Sequence, residues 1–173
     1  TRGTLIDLNF ESNLLSLEND VNFSKLEFML DAYVSPTSDF TINPFLMFGV
    51  GDKTTPLAEF WGLGGQDMFY GMREFEGIGR QIFVSSLEFR YKIPFEIFFD
   101  TYLSFRYDVG GVWRLPEQIR FANLRQGIGT NLSFDTPIGP AKFAVGNSFY
   151  FLHSPEKVIF GPLLGYFAIG INL

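Results

Sequence analysis

The stretch "FYGMREFEGIGRQIFVSSLEFRYKIPFEIFFDTYLSFRYDVGGVW", residues 69–113, decides the fold. From Glu96 to Trp113, one set of alternate residues reads Ile97, Phe99, Thr101, Leu103, Phe105, Tyr107, Val109 and Trp113. The other set reads Glu96, Asp100, Tyr102, Ser104, Arg106, Asp108 and Gly110. Successive side chains of a strand point to opposite faces, so this is a strand with one apolar and one charged face. The run is too long for a globular strand of about 5–6 residues. It suits a tilted membrane-spanning strand that continues above the bilayer.

The same alternation extends outward in both directions. Leu26, Phe28, Leu30, Ala32 and Val34 oppose Lys25, Glu27, Asp31 and Tyr33. Ala122, Leu124, Ile128, Leu132 and Phe134 oppose Asn123, Arg125, Gly127, Gly129, Asn131 and Ser133. Ala141, Phe143, Val145, Phe149 and Phe151 oppose Lys142, Gly146, Ser148 and Tyr150. The pattern predicts eight strands, at roughly 3–11, 21–34, 39–50, 81–93, 96–113, 119–136, 140–152 and 161–173, in one domain spanning 1–173. Connections at 35–38, 93–94 and 137–139 are short, whereas 12–20, 153–160 and above all 51–80 are long. Short turns on one side and long loops on the other are the habit of outer-membrane barrels, which makes 51–80 a long extracellular insertion.

Composition narrows the function. The chain of 173 residues has 22 Phe, 18% aromatic residues, no Cys and a net charge of −6. That charge offers no basic surplus for nucleic acid. Without Cys there are neither disulfides nor thiolate metal sites, and His153 is the single histidine. No Gly-x-Ser-x-Gly elbow is present, and the Gly127-x-Gly129 pair lies inside a strand, not before a helix, so it is not a phosphate loop. No cofactor and no enzymatic role are expected. No basic-then-apolar leader opens the sequence, which therefore reads as a mature protein or an excised piece.

A soluble barrel also alternates, with its apolar face turned inward. Two features favour the inverted arrangement. Charges of both signs, Glu88, Arg90, Asp100, Arg106 and Asp108, lie deep within strands, where a wet lumen wall tolerates them. Aromatic residues such as Tyr91, Phe95, Trp113 and Phe151 gather towards strand ends, as interfacial girdles require. The fold expected is an all-β, antiparallel, up-and-down transmembrane β-barrel. Its eight strands either close on themselves or form half of a larger barrel.

Four motifs carry a family resemblance. "GMREF" at 71–75 occupies the place of a Val-Arg-Gly-Phe/Tyr loop motif, and "LEFRYKIP" at 87–94 resembles a Glu-x-Arg-Tyr-Pro strand end. "DVGGVW" at 108–113 is similar to an Asp-x-Gly-x-Val-Trp strand, and "GIGTNLSFDTPIGPAKFAVG" at 127–146 to a Gly-x-Gly…Thr-Pro-x-Gly-Pro hairpin. Together, and in this order, they resemble the C-terminal half of the sixteen-stranded barrels of the bacterial surface antigen superfamily, whose members assemble or translocate proteins at the outer membrane. The flavour of the loop is similar to the patatin-like phospholipase autotransporter branch. Glu74 stands in place of the motif glycine, and Leu173 in place of a terminal Phe.

The resemblance implies that the long loop folds back into the lumen. Arg73, with Phe75 of the same motif, would latch it to the wall carboxylates Glu88 and Asp108, the guanidinium offering a rigid fork of donors. Gly127 and Gly129, both inward, would let the loop backbone approach closely, and Arg90, Asp100, Arg106 and Arg125 would be lumen-wall charges. The implied partners are outer-membrane lipid and either a polypeptide cargo or the protein's own passenger domain. A second copy or a covalently linked N-terminal half-barrel is implied as well. The alternatives are the membrane anchor of an esterase-bearing autotransporter whose catalytic domain lies elsewhere, and a small structural or pore barrel.

Overall fold

A computed structural model describes residues 3–13, 22–94, 99–153 and 156–170. They form eleven strands: β1 (Gly3–Asn13), β2 (Phe23–Tyr33), β3 (Phe40–Gly51), β4 (Trp61–Leu63), β5 (Gly77–Gly79), β6 (Gln81–Lys92), β7 (Thr101–Trp113), β8 (Arg125–Thr136), β9 (Gly139–His153), β10 (Glu156–Phe160) and β11 (Leu164–Ile169). Nine of them make one sheet in the order β1-β2-β3-β6-β7-β8-β9-β10, with β11 also on β9. Every neighbouring pair is antiparallel. β4 and β5 form a separate ribbon inside the long loop.

Register turns alternation into sidedness. Phe40, Tyr91, Leu103, Leu132, Phe143 and Phe167 lie opposite one another on six adjacent strands. This rung belongs to the outer face, where Phe48, Leu87, Phe105, Tyr107, Ile128 and Val145 are also exposed. The inner face carries a second rung, Asn43, Glu88, Arg106, Gly129, Gly146 and Leu164. Glu88, Arg106, Asp108, Asn131 and Ser148 are buried there. The greasy side is bare and the ionic side is covered, which is the inverse of a soluble barrel.

Three expectations change. Among the described residues the sheet is open and forms no closed barrel, since β1 does not pair with β10 or β11. The segment 119–124 is not strand; it holds the single 3-10 turn Phe121–Asn123, just after another at Pro116–Gln118. Phe121 folds back edge-on to Phe83 and Trp113, with ring centroids 5.6 and 6.3 Å apart, and this packing outweighs the alternation. The third change is that residues 156–160, expected in a loop, are strand β10, paired with β9. Between β10 and β11, the three residues Gly161–Leu163 lie opposite only two, Asn147 and Ser148, making a bulge. Pro162, with no N–H to give the ladder, sits in that bulge. Phe95, expected in the girdle, lies outside the described residues.

The core is on the inner face. Met47, Ile82 and Val84 of the wall pack against Trp61, Leu63, Phe69 and Met72 of the long loop. The expected polar lumen is filled by apolar side chains at this end, and its polar lining is found towards the opposite end. There, a cavity of about 530 Å³ is lined by Tyr33, Arg90, Lys92, Tyr102, Ser133 and Lys142 among others.

The face assignment makes a prediction for protein folded into lipid vesicles. Phe105→Arg, on the bare face, should lower stability by about 2–4 kcal/mol if that face meets acyl chains. Ser133→Lys, on the polar cavity, should cost little. Equal losses in urea titrations of the two variants would overturn the assignment.

Candidate functional site

The long loop leaves the wall at Gly51 and returns at Gln81, and its base is stapled. The Gly51 N–H donates to the Arg80 carbonyl at 2.7 Å, and Gln81 Nε2 to the Gly51 carbonyl at 2.8 Å. Asp52 accepts from the Ser24 and Thr54 N–H groups and from the Thr54 and Thr55 hydroxyls. Further along, Trp61 Nε1 donates to Glu27 at 2.8 Å, and Lys25 pairs with Glu59 at 2.9 Å.

Beyond the β4–β5 ribbon the chain makes a tight tip. Gly64 and Gly65 have φ of 128° and 92°. The Gly65 N–H donates to the Met72 carbonyl, and the Phe69 N–H to the Gly65 carbonyl, both at 3.0 Å. This drives Phe69, Tyr70, Gly71 and Met72 onto the inner face, where all four are buried. Full burial of a side chain such as Phe69 contributes about 1.5–3 kcal/mol.

The wall has a hollow shaped for this tip. A methyl group on Gly129 would lie 2.4 Å from Tyr70 Cδ2, and one on Gly146 would lie 2.8 Å from Tyr70 Cβ. A methyl on Gly127 would meet the Tyr70 carbonyl at 2.8 Å. On the loop side, Gly71 has φ of 73°, and a Cβ there would lie 2.0 Å from the Ser148 nitrogen. Only glycine satisfies either surface.

Polar contacts then fix the tip. The Tyr70 N–H donates to Asp108 Oδ2 at 2.8 Å, and the Ser148 hydroxyl to the Gly71 carbonyl at 2.7 Å. Asn131 Nδ2 donates to the Tyr70 hydroxyl at 3.3 Å, and the Tyr166 hydroxyl to the Met72 carbonyl at 2.9 Å. Asp108, 0% exposed, also faces Arg106 Nε at 3.0 Å. Arg106, 7% exposed, lies 4.0 Å above the Tyr70 ring and donates through Nη1 to the Asp67 carbonyl at 3.2 Å. Burial holds the Tyr70 phenol above its ordinary value of 10.0, against the opposite pull of Arg106, so the ring stays neutral.

These contacts reverse the latch expected from the motif. Arg73 is exposed and is not brought to Glu88 or Asp108; its N–H donates to the Glu76 carboxylate at 2.9 Å and its carbonyl accepts from the Glu76 N–H at 3.0 Å. Phe75 is 65% exposed, has a φ of 54°, and lies across Gly62, not against the wall. Glu88 is buried and pairs with Arg90 two residues along its own strand at 3.0 Å. Asp100 pairs with Lys92 at 2.7 Å. Wall cations hold the loop: Arg106 on the Asp67 carbonyl, Arg125 on Glu76 at 3.1 Å, Lys25 on Glu59 and Lys142 on Asp67 at 3.6 Å. Gly127 and Gly129 approach the loop as expected.

Sequence reasoning missed Tyr70, Gly71, Gly146, Ser148 and Tyr166. The inward glycines on two adjacent strands were a signal, since a hollow of that width calls for a large ring and not a guanidinium.

A family model described as the Omp85 superfamily domain matches residues 1–158. The chain belongs to the Omp85 superfamily. This is the superfamily reached through the surface-antigen resemblance, and membership carries a general role in outer-membrane assembly or translocation. No curated protein matches the chain.

Two substitutions separate the observed latch from the one expected. Asp108→Ala removes the ion-pair partner of buried Arg106 and should cost about 3–5 kcal/mol in urea titrations of vesicle-folded protein. Arg73→Ala should stay within about 0.5 kcal/mol of wild type, as exposed substitutions do. A large loss for Arg73→Ala would restore the motif-based latch.

Proposed function

We propose that this Omp85 domain is the wall and resident loop of a non-enzymatic outer-membrane barrel that guides or anchors a polypeptide, its loop occupying the lumen. The observation that carries the reading is the sidedness of the sheet. An aromatic face is left bare while the ionic face closes over the loop tip, an arrangement that makes sense where lipid is outside and cargo within.

Membrane placement demands a partner for the edges. The outer backbone groups of β1, and those of β10 and β11 on the far side, have no ladder partner among the described residues. In hydrocarbon each unsatisfied group costs several kcal/mol, so further strands must pair both edges. They come from more of the same polypeptide or from a second copy. With an even number of long sheet crossings, β1 and β11 run in opposite directions, so either source can add antiparallel strands at both sides.

In the assembled barrel the loop tip obstructs the lumen. Deleting residues 64–80 should raise single-channel conductance in planar bilayers several-fold while leaving the sheet's circular dichroism unchanged. Unaltered conductance with an intact sheet would count against a lumenal loop and against this function.

A further inference from the structure

Tyr166 stands where the loop meets the sheet's edge. It lies on the inner face of β11, opposite Ala144 of β9. Its hydroxyl donates to the Met72 carbonyl at 2.9 Å, and its ring centroid is 5.8 Å from that of Tyr70. The Met72 carbonyl is also the acceptor that closes the loop tip, from the Gly65 N–H. One carbonyl thus joins the turn that shapes the tip to the strand at the edge.

β11 itself is weakly held. It is six residues long, pairs only with β9 among the described residues, and is separated from β10 by the Gly161–Leu163 bulge. Its neighbours on the loop side leave a cavity of about 570 Å³, lined by Trp61, Gly65, Phe75, Tyr166 and Ala168 among others. A short edge strand beside open space has little packing to resist local opening. Beyond the β9 ladder, the hydrogen bond and ring contact of Tyr166 are what tie it to the tip.

We propose that Tyr166 is a positioning residue that couples loop docking to the order of the β11 edge. The docked tip holds β11 in place, and β11 in turn holds the tip. Coupling of this kind is reciprocal: whatever loosens one loosens the other by the same factor. The proposal rests on the reading of the loop as a resident of the inner face. Its consequence is that the edge where further strands must pair senses whether the lumen is occupied.

The chain has no cysteine, so a single Met72→Cys reports undocking through its rate of maleimide labelling in vesicle-folded protein. Hydrogen exchange of the β11 amides, taken relative to β7, reports the edge. In this background Tyr166→Phe removes one hydrogen bond and keeps the ring, and should speed both labelling and β11 exchange by about three- to tenfold. Tyr70→Ala, on the loop, should also speed β11 exchange. If Tyr166→Phe leaves β11 exchange at the wild-type rate, coupling is wrong. It is equally wrong if Tyr70→Ala speeds labelling alone, in which case docking still stands, or if β7 and β11 loosen together. Should Tyr70→Ala leave labelling unchanged, docking itself falls and coupling with it.

Discussion

A carboxylate shut away from water must be answered by its surroundings, and Asp108 is answered from two directions. Arg106 on the same strand neutralises its charge, and the Tyr70 N–H of the loop supplies a hydrogen bond. Burying either ion without the other would cost several kcal/mol. The wall therefore achieves its low-energy state only with the tip in place. The tip in turn fits only because glycines on β8 and β9 clear the space for the Tyr70 ring. Loop and wall thus complete one buried site, although 38 residues separate Tyr70 from Asp108.

The division of labour between loop and wall follows from desolvation. An arginine entering from the loop would have to shed its water on docking. Arg106 needs no journey, since it faces Asp108 from two positions along β7 and is already committed to the interior. The loop brings instead groups that are cheap to dehydrate: aromatic rings, main-chain N–H groups and main-chain carbonyls. Arg73 and Phe75, just past the tip, remain at the surface because the tight turn anchored at Gly64 and Gly65 aims residues 69–72, and not those after them, at the wall.

The inner face thereby divides into two regions. At one end Met47, Ile82 and Val84 meet the loop's Trp61, Leu63, Phe69 and Met72 in a dry cluster. At the other, Arg90, Lys92 and Lys142 line a polar cavity. A polypeptide moving through such a lumen would meet charge first at one end and the loop at the other. The edges of the sheet, and β11 above all, are the places where backbone groups still seek partners.

Much of this was legible in the residues. Alternation alone specified antiparallel strands with an aromatic face and an ionic face, because the two-residue period of a strand admits no other reading of segments such as 101–113. It also placed Gly127 and Gly129 on the inner side. It did not anticipate Phe121 folding back on Trp113, nor the bulge that splits the last pairing into β10 and β11, since both arise from packing between distant segments. The choice of Tyr70 over Arg73 as the inserted residue was likewise decided by tertiary structure. Period and composition report which side a strand residue faces, whereas a loop's direction is set by turn geometry and by the volume of the hollow that receives it, and that hollow exists only once β7, β8 and β9 lie in register.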